Sequence, residues 1–484
     1  MKQIYFDNNG TTQIENDVVN ELCSWAKSAR NPSSSSKTAN ECREMIQKSK
    51  DKLLQHCGAY NTRGNEYTVI YTSGATESNC CIIKSCALSF RRIRGFKPVI
   101  IISAIEHESI ISACNNLSED DIADIIQVMP NCEGSIAVHS IEKAINEANK
   151  DNQLTGNRVA LISVMFANNE IGTINNIREI GALAHKHNIP FHTDAVQGFG
   201  KFRIDLVQNN IDALSASYHK FYGPMGLGIL IIKNNLISGY NLIGIINGRQ
   251  QEGLRGGTEN VPAIAAGSLA LELAFRSRPI KNQHLFKLRN YFIKELSKRF
   301  PIGLYENYVR RSMQERVDLY PIMYDPASRG GEHIEGGAVQ SVLSIDALPQ
   351  IEICILGPPI QESARILPNT ILLSVVKNVA DKYGPFCNVK LRSDLDNMNC
   401  IVSIGSNCNT GVKEISHVLR AIKMPPNVGR GVIRVSFGDS NTTAEIDTFL
   451  DNFETCVWKQ AVRPQKINNK LKNTTRTKKN NTTK

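Results

Sequence analysis

Side chains that could take part in a reaction lie at the ends of several predicted strands. One of them is a lysine. Lys220 lies in SASYHKFYGPMGLG, directly after an apolar run that ends at Ser217, and glycines follow it. A lysine in that place either caps the strand in solvent or is an amine held in a pocket for covalent chemistry. The lysine alone does not decide between these interpretations.

Two further strand ends carry polar groups of other types. TSGATES places Gly74 at a strand-to-helix turn, with Ala75 and Thr76 at the helix start. Free N–H groups and the helix dipole favour an anion such as a phosphate there, although such residues also serve as simple caps. HTDAVQ supplies Asp194 and Gln197. This carboxylate either forms an ion pair in the core or holds a protonated ring nitrogen.

A histidine and an asparagine complete the set. His107 in EHES is either satisfied by hydrogen bonds or stacked on a planar ligand, and Asn169 in NNEIG offers an amide. A phosphate site, an amine, a carboxylate, an imidazole and an amide at one sheet edge are what a pyridoxal phosphate pocket requires. The sequence has neither G-x-G-x-x-G after its first strands nor G-x-x-x-x-G-K-[ST], which argues against nucleotide ligands.

The elements that position these groups alternate between short β-rich runs and helices from about residue 15 to 265. This alternation predicts an α/β fold with a mostly parallel sheet, whose carboxyl edge binds ligands. We expect a large domain at 16–265 and a small domain at 266–462, with a long irregular insertion at about 305–366. Residues 1–15 are expected to pack on the small domain, and two helices are predicted at 264–276 and 283–299.

The composition is that of an ordinary globular protein, with 41% hydrophobic residues and a mean hydropathy of −0.24. No apolar run approaches the ~20 residues of a membrane span, so we expect a cytoplasmic protein without membrane contact. Thirteen cysteines without a C-x-x-C pair predict no metal site. The net charge of +10 comes mostly from a tail at 463–484 without acidic residues, expected to be disordered and the only candidate for binding nucleic acid.

Eight motifs in order make the prediction specific: YFDNNGTT, YTSGATESN, EHES, NNEIG, HTDAVQ, SYHKFYGPMGLG, EGLRGGTENVPAIAA and IRVSFG. Together they resemble the cysteine desulfurases of the NifS and IscS group, which are class V aminotransferase-like enzymes. The resemblance covers residues 4–275 and resumes from about 366 to 455. It implies fold-type I, pyridoxal phosphate as cofactor, L-cysteine as substrate and a homodimer.

The resemblance also implies a role for each site residue. Lys220 would bind the cofactor covalently and act as the base, Asp194 would pair with the pyridinium nitrogen, and His107 would stack on the ring as a catalytic residue. Arg434 would bind the substrate carboxylate through its planar guanidinium. The phosphate would be bound by Ala75, Thr76, Ser217 and His219, and by Thr258 of the neighbouring subunit. Asn169 and Gln197 would address the ring hydroxyl and the substrate.

One cysteine, Cys408, is the candidate for the residue that accepts the sulfur. SIGSNCNTG resembles the family pattern S-x-G-S-x-C and places Cys408 in a polar segment, although a cysteine is more commonly a small buried hydrophobe. The implied reaction releases L-alanine and leaves a persulfide on Cys408 for a sulfur-acceptor protein in iron–sulfur assembly or tRNA thiolation. Two alternatives stay open: another lyase, acting on selenocysteine or cysteine sulfinate, and a scaffold without catalysis.

Overall fold

The computed structural model describes residues 3–28, 31–61, 66–150, 157–304, 351–358, 363–377, 386–405 and 415–462. Its strands are β1 (Ile4–Tyr5), β2 (Tyr67–Thr72), β3 (Val99–Ser103), β4 (Asp124–Val128), β5 (Val159–Ser163), β6 (Phe191–Asp194), β7 (Ala213–Ser217), β8 (Gly228–Lys233), β9 (Ile302–Leu304), β10 (Ile351–Leu356), β11 (Thr370–Lys377), β12 (Cys400–Ile401) and β13 (Val432–Ser436).

The helices fall between these strands. They are α1 (Asn16–Ala26), α2 (Lys37–His56), α3 (Ala75–Arg94), α4 (Glu108–Glu119), α5 (Val138–Ala148), α6 (Ile177–Lys186), α7 (Asn234–Tyr240), α8 (Val261–Ser297), α9 (Asn388–Asp396), α10 (His417–Ala421), α11 (Pro426–Gly429) and α12 (Thr443–Val462). Among the described residues, no helix is both long and apolar enough to cross a membrane.

The larger sheet has seven strands in the order β2-β8-β7-β6-β5-β3-β4. Strand β8 runs antiparallel to β7 and β2, and the other neighbours are parallel. A short turn joins β7 to β8, and such a connection permits only antiparallel pairing, whereas the parallel strands are joined by longer crossovers. The predicted mostly parallel α/β sheet is confirmed.

Both faces of this sheet are buried, because alternate residues of a strand point to opposite sides. Ile101 and Ile231 belong to one apolar cluster, whereas Ile100, Ile102 and Leu230 belong to another. Helices therefore cover the two faces.

A second sheet has the order β13-β11-β10-β9 and is antiparallel except for the β9–β10 pair. Residues 351–356 were predicted to be irregular, and that prediction was wrong because they form β10. The apolar run IEICIL is itself a strand pattern, but the glycines and prolines on either side of it obscured the signal. Of the rest of the predicted insertion, residues 305–350 and 359–362 lie outside the described residues, and Ser363–Arg365 form a 3-10 turn.

Helix α8 connects the regions around the two sheets. It is one helix of 37 residues with Pro279 inside, where two helices were predicted. A proline removes one backbone hydrogen bond and commonly ends a helix. The helix continues because both halves are packed: Ile264 and Leu271 join the core of the larger sheet, and Leu288 and Phe292 join that of the smaller one.

The amino-terminal segment lies beside the second sheet. Strand β1 pairs in parallel with β12, at Ile4 with Cys400 and Tyr5 with Ile401. Asp7 then forms an isolated bridge with Ser436 at the end of β13. The chain thus reaches the edge of the larger sheet within its first eleven residues.

Candidate active site

The carboxyl ends of the parallel strands open onto a cavity of about 770 Å³ between the two sheets. Ten of the predicted site residues line it: Ala75, Thr76, His107, Asn169, Asp194, Gln197, Ser217, His219, Lys220 and Arg434. The structure therefore brings together side chains that are up to 359 positions apart in the sequence, from Ala75 to Arg434.

One described site residue, Thr258, is not at this cavity, and the position of Cys408 is not described. Thr258 is exposed and is not among the cavity-lining residues. Cys408 lies outside the described residues, but Gly405, which does line the cavity, is only three positions away.

Lys220 extends its amine toward the amino-terminal segment. Its Nζ donates to the carbonyl oxygens of Asn9 and Gly10, at 2.6 Å each. Burial, together with the charges of Arg434 and Lys201, lowers the pKa of Lys220 to about 7, although Asp7 and Asp194 act in the opposite direction. A substantial fraction of the amine is therefore neutral near pH 7, which a nucleophile or a base requires.

The start of α3 forms an anion-binding end of the cavity. Gly74 is its N-cap and provides no side chain to the first N–H groups. A Cβ placed on Gly74 would meet no atom within 4 Å, so the space in front of the turn is open. The N–H groups of a first helical turn lack intrahelical partners and favour an anion.

His219 and Ser217 line the same cavity as this helix start. Burial and the charge of Lys220 lower the pKa of His219 to about 4, so the imidazole is neutral at physiological pH. Its Nδ1 lies 3.0 Å from Oγ1 of Thr11. A neutral imidazole can donate one hydrogen bond to an anion without adding a buried charge.

Asp194 is fixed at the end of β6. Its Oδ2 accepts from Nδ2 of Asn79 at 2.8 Å, and its Oδ1 accepts from the N–H of Val196 at 2.9 Å. Two buried acceptors near it, Oδ1 of Asn79 and Oε1 of Gln197, have no hydrogen-bond partner among the described residues. Unpaired buried acceptors at a cavity wall indicate a polar ligand with donor groups.

His107 is both hydrogen-bonded and placed at the cavity. Its Nδ1 accepts from the N–H of Ser109 at 3.1 Å and lies 2.8 Å from the Ser109 hydroxyl, so the side chain caps α4. The cap holds the imidazole at the cavity wall. The two interpretations of His107 from the sequence are therefore compatible.

Arg434 reaches the cavity from β13. Its Nη2 contacts Oδ1 of Asp7 at 2.6 Å, and its Nη1 donates to the carbonyl oxygen of Asn169 at 3.0 Å. The side chain is only 6% exposed, and its Nε has no partner among the described residues. The guanidinium is thus oriented in advance and keeps N–H groups for a further acceptor.

Several cavity residues were given no role from the sequence. Asp7, Asn9, Gly10 and Thr11 belong to the motif YFDNNGTT, and Asn79 ends the motif YTSGATESN. The motifs were therefore recognised, but the contacts of these side chains depend on tertiary structure. No local pattern distinguishes them from turn or helix-cap residues.

Glu106 is a buried carboxyl group next to this site that sequence reasoning also missed. Its Oε1 accepts from the Ser103 hydroxyl and, at 2.8 Å, from the N–H of Met165. Its Oε2 has no partner among the described residues. Burial raises the pKa of Glu106 to about 8, and the charge of Asp194 contributes.

Comparison with known proteins identifies relatives of the whole chain. The aminotransferase class-V family model matches residues 4–322. A protein named cysteine desulfurase IscS from Clostridium botulinum is 30% identical over 452 residues, which are 93% of each chain. The protein of that name from Dictyoglomus turgidum is 30% identical over 468 residues, covering 96% of this chain and 97% of the relative.

Solved structures resemble the fold over a similar extent. A NifS-like protein from Rickettsia africae superposes with a TM-score of 0.70 and 25% identity, covering 94% of this chain and 99% of that one. A structure described as SspA in complex with cysteine has a TM-score of 0.61 and 25% identity, covering 91% of this chain and 100% of that one.

Proposed function

Since this chain belongs to the aminotransferase class-V family, we propose that it is a pyridoxal phosphate-dependent cysteine desulfurase, which converts L-cysteine to L-alanine and transfers the sulfur to a cysteine of its own. One arrangement carries this proposal. Lys220, Asp194, Arg434 and the start of α3 line the same cavity.

The residues present fit the cofactor. The open space before Gly74 suits a phosphate, and the buried acceptors near Asp194 call for a ligand with donor groups. Lys220 would hold the cofactor covalently, Asp194 would face its ring nitrogen, and His107 would lie against its ring. When bound, pyridoxal phosphate withdraws electrons from the substrate carbon and so stabilises negative charge there.

The side chains of this protein divide the remaining tasks. Arg434 binds the substrate carboxylate, because a guanidinium matches a carboxylate with two parallel N–H groups. The neutral form of Lys220 takes a proton from the substrate carbon, as its pKa near 7 allows. Asn169 helps to orient Arg434, since its carbonyl oxygen accepts from Nη1.

Cys408 is the proposed sulfur acceptor. Gly405, three positions before Cys408 in the sequence, lines the cavity, which supports this assignment. Its thiolate would form a bond to the substrate sulfur while the bond between that sulfur and the β-carbon breaks. The released electron pair and one proton at the β-carbon then give alanine, and the sulfur remains on Cys408 as a persulfide.

A homodimer belongs to the same proposal. Thr258 is exposed, so it is available to reach the phosphate of a neighbouring subunit. Ile243, Ile245 and Ile246 precede it and are 44%, 40% and 39% exposed. Exposed apolar side chains close together suit a protein interface, so we propose that this region contacts the second subunit.

The domain division and the cellular location are also proposals. The proposed domains are a large one at 16–265 and a small one at 266–462. The apolar cluster of the smaller sheet lies mostly in the second range, whereas that of the larger sheet also includes Leu372 and Val418. A cytoplasmic location suits Cys23, which is exposed, and Cys80 and Cys387, which are half-buried, because all three thiols are free. A separate acceptor protein would receive the sulfur.

The function is tested by alanine formation from L-cysteine. The protein reconstituted with pyridoxal phosphate is incubated with L-cysteine and a thiol reductant, and alanine and sulfide are measured. Wild type and Cys23→Ala, which changes an exposed cysteine in α1, should form both products, whereas Cys408→Ala should form little. Equal turnover by Cys408→Ala would refute the persulfide step, and release of selenide or sulfite from analogues alone would point to another lyase.

A further inference from the structure

The amino-terminal strap, defined as residues 7–11, contacts both cations of the cavity. Asp7 holds Nη2 of Arg434 at 2.6 Å, and the carbonyl oxygens of Asn9 and Gly10 accept from Nζ of Lys220. The strap therefore connects Arg434, the proposed carboxylate-binding residue, with Lys220, the proposed base. The roles proposed for these two residues give the strap itself no function.

Backbone hydrogen bonds hold the strap between the two sheets. On one side, the N–H of Asn8 donates to the carbonyl of Ser436 at 3.1 Å, and the N–H of Asn9 donates to the Ser436 hydroxyl at 2.9 Å. On the other side, the N–H of Thr12 donates to the carbonyl of His219 at 2.9 Å. The strap is thus fixed at Ser436, two residues after Arg434, and at His219, the residue before Lys220.

Asp7 itself sits in a tight turn. Its carbonyl accepts from the N–H of Gly10 at 2.9 Å and from the Tyr5 hydroxyl at 3.1 Å. A Cβ on Gly10 would lie 2.6 Å from Oδ2 of Asp7, so the carboxylate has its place only because residue 10 is glycine. The turn and the glycine together fix this carboxylate beside Arg434.

The contacts of Arg434 leave room for a second carboxylate. A guanidinium has five N–H groups. Asp7 and the carbonyl of Asn169 accept from Nη2 and Nη1, and Nε has no partner among the described residues. Nη1 and Nη2 carry two N–H groups each and use only one of them within the described part of the chain, so an incoming carboxylate can bind to the others without displacing Asp7.

The charge of Asp7 also matters for Lys220. The charged groups that face Lys220 are Arg434 from β13, Lys201 from the turn after β6, Asp194 from the end of β6, and Asp7. The neighbouring His219 is neutral, because burial and Lys220 lower its pKa to about 4. Two cations in one partly buried cavity repel each other, and an anion between them offsets that repulsion.

We propose that Asp7 is a positioning residue for the reaction: it orients the guanidinium of Arg434 toward the substrate carboxylate, and its charge allows Arg434 and Lys220 to share the cavity. This inference rests on the proposed function, because it assigns Arg434 to the carboxylate of L-cysteine. Asp7 would then help to determine substrate specificity without itself touching the substrate.

The test compares amino-acid binding with amine binding in the holoenzyme. Wild type, Asp7→Asn, Asp7→Glu and the control Asp17→Asn, an exposed carboxylate in α1, are titrated with L-alanine and with ethylamine, which lacks the carboxylate, while the absorbance of the bound cofactor is followed. Asp7→Asn should weaken L-alanine binding about tenfold, the loss of one charge-assisted contact. Ethylamine binding should change less than about twofold, and Asp7→Glu should recover part of the loss.

The pH profile separates positioning from a structural role. Asp7 raises the pKa of Lys220, so Asp7→Asn should move the acidic limb of the kcat profile to lower pH, whereas Asp7→Glu should not. Gly10→Ala keeps the charge but displaces the carboxylate, so it should weaken L-alanine binding without moving the limb. It also provides the test if Asp7→Asn does not fold.

The outcomes distinguish this inference from the proposed function. A wild type that forms no alanine from L-cysteine overturns the function. An active wild type whose Asp7→Asn variant binds L-alanine unchanged, or loses ethylamine binding equally, overturns only the role of Asp7.

Discussion

The side-chain amide of Asn79 donates to the carboxylate of Asp194 at 2.8 Å and so joins helix α3 to the end of strand β6. The same helix begins at the proposed phosphate site. The proposed phosphate site and the carboxylate proposed to face the ring nitrogen are therefore held at a fixed separation by one side chain. This contact determines how a cofactor would lie between Lys220 and α3.

Asp194→Asn is the direct test of that carboxylate. We expect kcat for L-cysteine to fall roughly 100-fold, because an amide cannot supply the negative charge opposite a protonated ring nitrogen. The covalent attachment to Lys220 should persist, so the absorbance of the bound cofactor should remain. Asp120→Asn, an exposed carboxylate at the end of α4, is the control, and an Asp194→Asn variant with wild-type kcat would contradict the assignment.

The acidic limb of the pH–rate profile should reflect the pKa of Lys220. A base acts in its neutral form, so kcat should rise as the pH rises through about 7, the value to which burial lowers the pKa of Lys220. Steady-state rates between pH 5.5 and 9, with reductant and substrate saturating, measure this limb. A rate that rises only near the ordinary pKa of a lysine, about 10.4, would show that the amine is not perturbed in the working enzyme.

Replacement by alanine should have different effects at Gly74 and Gly228, two glycines at the proposed phosphate end of the cavity. A Cβ on Gly74 has open space, so Gly74→Ala should leave stability within about 0.5 kcal/mol but weaken retention of the cofactor. A Cβ on Gly228 would lie 2.5 Å from the backbone of Gly74, so Gly228→Ala should cost about 1–3 kcal/mol in the free energy of unfolding.

Denaturant unfolding of the apoproteins and titration with pyridoxal phosphate separate these two effects. Unchanged cofactor affinity in Gly74→Ala would place the phosphate elsewhere.

Glu106 should make the fold less stable as the pH rises. Its pKa in the folded protein, about 8, lies above its ordinary value because of burial. Between about pH 4.5 and 8 the unfolded chain releases this proton and the folded protein retains it, so the free energy of unfolding falls with rising pH, by at most about 1.4 kcal/mol per pH unit from this group.

Glu106→Gln removes the ionisable group and should flatten this dependence. Urea unfolding of wild type and Glu106→Gln at several pH values measures the difference. Parallel pH profiles for the two proteins would show that Glu106 is not the cause.

The sequence predicted the larger sheet and ten of the residues that line the cavity, because the chemically relevant side chains lie at strand ends, which local patterns reveal. Lys220, Asp194 and His107 each follow an apolar run at the edge where parallel strands bind ligands. Strand β10 was missed because glycines and prolines surround its short apolar run. Helix α8 was predicted as two helices because a proline such as Pro279 commonly ends a helix. Tertiary packing overrides that local signal.

The contacts of the strap were beyond prediction for a different reason. Asp7 meets Arg434 across 427 positions, and Asn9 meets Lys220 across 211. Such contacts depend on how the two sheets face each other, and the periodicity of apolar residues in the sequence does not predict that arrangement. Glu106 was missed for the same reason, since a carboxyl group next to a histidine at a strand end is expected to be solvated and charged.

The central claim is that Lys220 and Cys408 together move sulfur from L-cysteine, and a single-turnover measurement tests it most directly. Holoenzyme is mixed with L-cysteine in the absence of reductant, and alanine is quantified over time. We predict a burst of about one alanine per chain, because the sulfur stays on the enzyme and blocks further turnover. Lys220→Ala and Cys408→Ala should give no burst. A wild type without a burst, or a Cys408→Ala variant with a full one, would contradict this account.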